Sequence, residues 1–169
     1  VLGNGMDEGV QIGPMFEMRG VEKTDRIVSD ATSKGARCLL GGKRPEQFDK
    51  GFFYEPTVLT DVTADMAIMT EEPFGPVMPI LDFDNIDEVI EKANDTEYGL
   101  AAYVLTNDLT AAFKMAEGLE FGTIGINDPV PATPQAPFGG LKESGMGREN
   151  GIEGMDAYLE TKNVSIILQ

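Results

Sequence analysis

The chemistry open to this chain is limited by the side chains it contains. It has one cysteine and no histidine among 169 residues. A Ser-His-Asp triad, a Cys-His pair and the usual histidine-containing zinc sites therefore cannot be built from it. The carboxylates, lysine, tyrosine and the thiol of Cys38 remain for catalysis or binding, and we expect no metal site.

Cys38 carries the only thiol, so its role decides whether the chain holds a sulfur nucleophile. It lies in the short apolar run 36–40, where a small buried hydrophobic side chain is the ordinary use of cysteine. No histidine is available to activate the thiol. The pattern favours structural packing and predicts that Cys38 is buried.

Hydrophobic periodicity predicts the elements that position these side chains, beginning with a helix over 20–33. The run 37–40 follows and ends in two glycines, which indicates a strand. A further apolar run, 77–83, predicts a strand at a sheet edge or with a local irregularity, because Pro79 has no amide hydrogen. The apolar residues of the first helix are Val21, Ile27, Val28 and Ala31.

The second half of the sequence alternates between strand and helix patterns. Asn85 and Glu88 match a capping box before apolar residues at helical spacing. Strands are predicted over 100–105 and 122–127, with a helix between them. This alternation predicts an α/β fold with a mostly parallel sheet and covering helices. The apolar face of the intervening helix consists of Leu109, Ala112, Phe113 and Ala116.

Two segments do not fit the alternation. The stretch 128–151 is rich in proline and glycine, too long for a simple connection and too apolar for a linker, which is typical of a functional loop. The tail, 163–169, has the pattern of a strand but follows no segment that could pair with it locally. It therefore predicts pairing with a strand from elsewhere.

Charge and hydropathy disfavour two kinds of partner. The formal charge of −16 comes from 29 acidic and 13 basic residues, and such a surface repels a phosphate backbone, so we expect no nucleic acid partner. No stretch approaches the roughly 20 uncharged apolar residues that span a bilayer. Residues 1–13 lack the pattern of an export signal. Since a lone thiol fits a reducing compartment, we expect a cytoplasmic protein without membrane partners.

Two motifs are more specific than these patterns. One is Glu71-Glu72-Pro73-Phe74-Gly75-Pro76-Val77, and the other is the run 137–149, Pro-Phe-Gly-Gly-Leu-Lys-Glu-Ser-Gly-Met-Gly-Arg-Glu. Together they closely resemble the aldehyde dehydrogenase superfamily. The matching segments 11–14, 94–100 and 158–164 follow in the family's order, so the resemblance covers essentially the whole chain.

The resemblance implies where the chain belongs in a larger protein. Residues 1–162 correspond to the C-terminal portion of the family's catalytic domain. Residues 163–169 correspond to the last strand of its oligomerisation sheet, and a homo-oligomer is implied.

The family's reaction has three parts. A cysteine thiolate attacks an aldehyde, a hydride passes to the nicotinamide of NAD or NADP, and water activated by a glutamate hydrolyses the thioester to a carboxylate. In the family the nucleophile precedes the segment matching 11–14 by a few dozen residues. The general-base glutamate lies further upstream still. We therefore expect no catalytic residue within this chain.

The resemblance assigns three residues to the cofactor. Glu72 matches a glutamate that accepts hydrogen bonds from the nicotinamide ribose hydroxyls, a role suited to an acceptor-only carboxylate. Phe74 matches an aromatic residue beside the nicotinamide ring, and Lys23 a lysine near the adenosine ribose. Each residue has a structural alternative. Glu72 could be a solvated acid, although Glu71 is the better candidate for that. Phe74 could anchor a turn in the core, and Lys23 could lie on a solvated helix face.

The segment 127–138 corresponds to the family's substrate-tunnel loop, in which relatives differ. Val130 and Ala132 are small and uncharged, which leaves room for a substrate. The hydroxyl of Thr133 suits a hydrogen bond to a distal polar group of that substrate. The residues at or near tunnel-lining positions are Val130, Ala132, Thr133 and Phe138.

Among the branches of the family, the sequence resembles succinate-semialdehyde dehydrogenases most, including the run 137–149. The implied substrate is a small aldehyde, with succinate semialdehyde or another small semialdehyde as the candidates. A reductase that uses an acyl phosphate or acyl-CoA is an alternative within the superfamily, which the intact motifs disfavour. A stand-alone, non-catalytic interaction protein derived from a dehydrogenase is the alternative from another class.

The purified chain is expected to oxidise no aldehyde above background, because loss of a covalent nucleophile typically costs many orders of magnitude in rate. The measurement is NADH or NADPH formation from succinate semialdehyde. Steady formation that stops in a Cys38→Ala variant would contradict this prediction and the structural role of Cys38.

Overall fold

In the computed structural model, which describes residues 1–168, the chain divides into two units, Val1–Asp82 and Phe83–Gln169. Gln169 lies outside the described residues. Helices and strands occur in both units, and the predicted α/β class is confirmed. No helix within residues 1–168 is both long and apolar enough to cross a bilayer.

The first unit combines one long helix with a three-stranded sheet. Its sheet has the order β1-β2-β3, with β1 antiparallel to β2 and β2 parallel to β3. The predicted helix and first strand are confirmed, and the strand that ends at Pro79 lies at the sheet edge, as predicted. The elements are α1 (Met18–Ser33), β1 (Arg37–Leu40), β2 (Thr57–Thr60), a short 3₁₀ helix (Ala67–Met69) and β3 (Val77–Pro79).

The core of the first unit lies against α1. All four apolar residues predicted for its inner face are buried, and they form one cluster with the central strand β2 and the segment that follows it. Burying each large aliphatic side chain contributes about 1.5–3 kcal/mol, so this cluster fixes the helix on the sheet. Beyond α1 the cluster includes Ala36, Tyr54, Leu59, Val62, Met66 and Ile68.

The second unit contains two short helices and two small sheets. Strands β5 and β6 pair in parallel, as predicted, while β4 and β7 form an antiparallel pair. Asn85 caps α2 by accepting a hydrogen bond from the Glu88 amide at 3.0 Å. The elements are α2 (Ile86–Asn94), β4 (Tyr98–Gly99), β5 (Ala101–Val104), α3 (Leu109–Gly118), β6 (Thr123–Ile126), β7 (Leu141–Lys142) and a 3₁₀ helix (Glu153–Tyr158).

The sheets differ in arrangement from the mostly parallel sheet that the sequence predicts. The described strands form three separate sheets, and two of the four strand pairings are antiparallel. The antiparallel partners come from β2 and β7, neither of which the hydrophobic pattern identifies. The seven strands are two to four residues long, too short for a clear periodicity.

Two predictions of burial are wrong. Cys38 is exposed, because all four residues of β1 are exposed and β1 is an edge strand. Its thiol donates a hydrogen bond to the carbonyl oxygen of Leu40 at 3.2 Å. On α3 only Ala112 is buried, whereas Leu109 and Phe113 of the predicted apolar face are exposed.

The tail carries exposed apolar side chains. Residues 163–168 belong to no strand of the described part of the chain, and Val164, Ile166, Ile167 and Leu168 are all exposed. The assignment of 163–169 to an oligomerisation sheet therefore stays a prediction.

Shortening a buried side chain on the central strand β2 should destabilise the chain far more than shortening an exposed side chain on the neighbouring strand β1. Leu59 is 0% exposed and Leu39 on adjacent β1 is 58% exposed. We expect Leu59→Ala to lower the free energy of unfolding by about 2–5 kcal/mol and Leu39→Ala by no more than about 0.5 kcal/mol. Urea unfolding followed by circular dichroism gives both values, and equal losses would contradict the described core.

Candidate functional site

One face of α1 holds the segment that leads into the motif 71–77. Lys23, Arg26 and Asp30 are spaced by three and four residues, which places them side by side along a helix. The Asp30 carboxylate accepts a hydrogen bond from the Ala67 amide at 2.8 Å. This hydrogen bond is the main cause of the lowered pKa of Asp30, and a hydrogen bond from Lys34 lowers that pKa further.

Arg26 binds the carboxylate of Glu71 at two points. Its Nη1 donates to Oε1 at 3.2 Å and its Nη2 to Oε2 at 2.6 Å. These hydrogen bonds lower the pKa of Glu71. Glu71 keeps partial exposure to solvent, with 43% of its side chain accessible, but its carboxylate is ion-paired with Arg26.

Lys23 and Glu72 meet through the main chain. The Lys23 ammonium donates to the carbonyl oxygen of Glu72 at 2.7 Å. This contact leaves the carboxylate of Glu72 free: the residue is exposed, and within residues 1–168 no hydrogen bond or ion pair to that carboxylate is found. Of two adjacent acids, one is paired and the other is available to a ligand.

Phe74 has an unusual backbone conformation and an exposed ring. Its φ is +51°, in the left-handed region that bulky residues rarely adopt. Such a conformation costs about 1–3 kcal/mol and is found most often at ligand sites and switches. The side chain is 82% exposed, so the alternative in which Phe74 anchors the turn in the core is wrong.

The turn at Phe74 is fixed by the packing of the next residue. A Cβ atom at Gly75 would lie 2.4 Å from the hydroxyl of Thr24. Thr24 is buried, and its hydroxyl donates to the carbonyl oxygen of Gly20 at 2.8 Å. On the other side, the carbonyl oxygen of Pro76 accepts from the Thr57 amide at 2.8 Å. The motif is thus held between α1 and β2.

A surface groove of about 660 Å³ lies beside this turn, a volume within the range of ligand sites. Lys23 and Phe74 both line it, so two of the three predicted cofactor residues meet there. Glu72 is not among the lining residues. Arg26 also lines the groove and was not predicted. The further lining residues are Met15, Phe16, Glu17, Arg19, Gly20, Glu22 and Pro73.

The predicted tunnel residues lie in the second unit. Val130, Ala132 and Thr133 are exposed, and Phe138 is half-buried. The backbones of Phe138 and Glu149 exchange two hydrogen bonds of 2.7 Å. None of the four lines the apolar cavity of about 280 Å³ found near the start of this loop, whose walls are Tyr103, Val104, Leu105, Gly125, Asp128 and Pro129.

The run 137–149 is held by polar contacts that the sequence does not predict. The Lys142 ammonium donates to the carbonyl oxygens of Asn94 at 2.8 Å and Thr96 at 3.2 Å, and pairs with Glu120 at 2.8 Å. The Ser144 hydroxyl accepts from the Gly99 amide at 2.9 Å. Lys142 and Ser144 therefore act structurally, by fastening the run to β4 and to the end of α2.

The first unit thus has a surface groove of ligand size lined by an exposed aromatic ring, with a carboxylate, unpaired within residues 1–168, two residues from that ring, an arrangement compatible with a small-molecule ligand. The model of the aldehyde dehydrogenase family matches residues 1–164, and the chain belongs to this family.

Individual relatives support the family assignment. The chain is 47% identical to a 3-sulfolactaldehyde dehydrogenase from Pseudomonas putida, covering 98% of this chain and 34% of that protein. It is 45% identical to a succinate-semialdehyde dehydrogenase [NADP(+)] from Escherichia coli, covering 98% of this chain and 34% of that protein. The chain thus spans about a third of the length of these relatives.

A solved structure has the same fold. Betaine aldehyde dehydrogenase from Staphylococcus aureus in complex with NAD+ superposes with a TM-score of 0.91 at 42% identity, covering 95% of this chain and 32% of that chain.

Gly75→Ala should destabilise the first unit, because Thr24 is branched, buried and hydrogen-bonded and cannot move aside. Overpacking of this kind costs about 1–3 kcal/mol. Gly13→Ala is the matched control, since a Cβ atom there meets no atom within 4 Å. Thermal unfolding monitored by circular dichroism compares the two. Equal melting temperatures would contradict the close contact at Gly75.

Proposed function

We propose that this chain is the C-terminal third of an NAD(P)-dependent aldehyde dehydrogenase, whose parent oxidises an aldehyde to a carboxylate through a cysteine thioester. Family membership and coverage of about a third of the relatives' length support this proposal. The nucleophile and the general base belong to the part of the parent that precedes this chain. The chain itself contributes cofactor and substrate contacts.

The observation that carries the proposal is the free, exposed carboxylate of Glu72. An ionised carboxylate offers only acceptors, and the two vicinal hydroxyls of a ribose supply two donors that match it. The neighbouring Glu71 is less suited to this role, because both of its oxygens already accept hydrogen bonds from Arg26. Glu72 is therefore proposed to hold the nicotinamide ribose.

Phe74 and Lys23 complete the cofactor site in this proposal. The nicotinamide supplies the acceptor for the hydride that leaves the aldehyde. In this proposal, the exposed ring of Phe74 packs beside the nicotinamide and limits its movement, and the left-handed turn sets the direction of that ring. An ammonium has three donor hydrogens, so the bond from Lys23 to the Glu72 carbonyl leaves others for the adenosine ribose.

Both NAD and NADP are compatible with these contacts. The two cofactors differ by a phosphate on the adenosine ribose, whereas Glu72 and Phe74 are assigned to the nicotinamide end. The E. coli relative is named for NADP(+), and the S. aureus structure contains NAD+.

We propose a small semialdehyde, such as succinate semialdehyde, as the substrate of the parent. The loop with Val130, Ala132, Thr133 and Phe138 lines the tunnel in this proposal. In this proposal, the exposed hydroxyl of Thr133 binds the distal polar group of the substrate. The parent is proposed to act in the cytoplasm as a homo-oligomer, joined through the strand 163–169.

Replacing Glu72 by Gln in the full-length parent tests the cofactor assignment. The change keeps the shape but weakens two charge-assisted hydrogen bonds, each worth about 1.5–3 kcal/mol. We expect kcat to fall about tenfold, with a smaller change in cofactor affinity because the adenosine end stays bound. The primary isotope effect on kcat with a deuterated aldehyde should increase, since hydride transfer becomes slower than product release.

Glu8→Gln is the control, because Glu8 is exposed and distant in sequence from the turn. It should leave kcat and the isotope effect at parent values. If Glu72→Gln behaves like this control, Glu72 is a solvated acid and the cofactor assignment fails.

A further inference from the structure

The segment 67–72 lies antiparallel to α1 and is bound to it at three points. Asp30, Arg26 and Lys23 bind Ala67, Glu71 and Glu72 in that order. The segment is therefore fastened along two turns of the helix. Two of these contacts involve the main chain of the segment, and only the contact of Arg26 engages one of its side chains.

We propose that Arg26 is a positioning residue for the cofactor site: its two-point ion pair with Glu71 fixes the segment that carries Glu72 and Phe74 beside the groove. This inference rests on the proposed function, in which Glu72 holds the nicotinamide ribose. Arg26 touches no reacting atom in this role and acts through Glu71.

The geometry of the pair suits it to orient the turn. A guanidinium is planar and its donors have a fixed spacing, so two parallel bonds to a carboxylate set direction as well as distance. Glu71 also donates its amide hydrogen to the carbonyl oxygen of Ala67 at 2.8 Å. Glu71 is thus held at both its main chain and its side chain, directly before the residue whose carboxylate is free.

The pair also removes a competitor. Without Arg26, two free carboxylates would stand next to each other in the chain. They would repel each other, and either could accept the same hydroxyl donors. With Arg26 in place, both oxygens of Glu71 accept hydrogen bonds, whereas those of Glu72 have no such partner within residues 1–168.

The expected effects are moderate, because the two side chains are 54% and 43% exposed and exposed pairs are weak. We expect changes of about two- to fivefold in the measured rates. The informative result is therefore the pattern across variants. The variants are Arg26→Ala, Glu71→Ala, both together, and the exchanged pair Arg26→Glu with Glu71→Arg.

The first experiment tests the contact without any cofactor, in the chain itself. Amide hydrogen exchange of a peptide covering 67–77 is measured by mass spectrometry. Arg26→Ala should accelerate this exchange by about two- to fivefold, and the exchanged pair should restore it. Arg37→Ala is the matched control, because it removes a similarly exposed ion pair, with Asp61, from the same unit; it should leave exchange in 67–77 unchanged.

The second experiment measures catalysis in the full-length parent with succinate semialdehyde and each cofactor. Arg26→Ala and Glu71→Ala should each lower kcat about two- to fivefold and raise the isotope effect on kcat with deuterated aldehyde. The double variant should be no worse than either single one, because coupled residues are not additive. The exchanged pair should recover kcat, and Arg37→Ala should not alter it.

Three results would overturn the inference. Unchanged exchange in Arg26→Ala would show that the pair does not hold the segment. Faster exchange in Arg26→Ala, together with an unchanged kcat and an unchanged isotope effect, would show that the ion pair has only a structural role. Additive losses in the double variant would show that the two residues act separately. If Glu72→Gln lowers kcat while Arg26→Ala does not, only this inference fails; if the parent reduces neither NAD nor NADP with any aldehyde, the proposed function fails as well.

Discussion

The packing of α1 against the segment 67–76 is the constraint on which the candidate site depends. One side of the helix is anchored by its buried apolar residues, and another carries the polar side chains that bind the segment. Thr24 belongs to the buried side of the helix, and a Cβ atom at Gly75 would meet its side chain. Hydrophobic burial therefore determines, through one rigid helix, where an exposed carboxylate and an exposed aromatic ring are placed.

In the second unit, the motif run 137–149 is also held in position, but by segments with less regular secondary structure. Its motif run has little secondary structure and is fastened instead by an ammonium that binds two carbonyl oxygens and a carboxylate. Backbones also approach closely there: a Cβ atom at Gly122 would lie 1.8 Å from the carbonyl oxygen of Gly139. Such contact is possible only without a side chain. A loop that would otherwise be mobile thus gains a defined path.

Much of the fold could be predicted from the sequence where periodicity is long enough to see. Helix α1 has four apolar residues at helical spacing, and β5 and β6 flank a clear helical pattern. By contrast, β2 and β7 are short, and the exposure of Cys38 follows from an edge position that local pattern does not reveal. The motif predicted Glu72 and Phe74 as site residues. The pairing of Arg26 with Glu71 joins residues 45 positions apart, and only the folded chain brings them together.

The left-handed backbone at Phe74 has a consequence for recognition. Ordering a loop when a ligand arrives costs conformational entropy, which is subtracted from the affinity. Here the turn has its left-handed conformation without a ligand, because the packing of Gly75 against Thr24 fixes the neighbouring backbone. Part of the conformational entropy is therefore lost during folding and not on binding. A ligand that reaches the groove meets the ring of a residue whose backbone is already ordered.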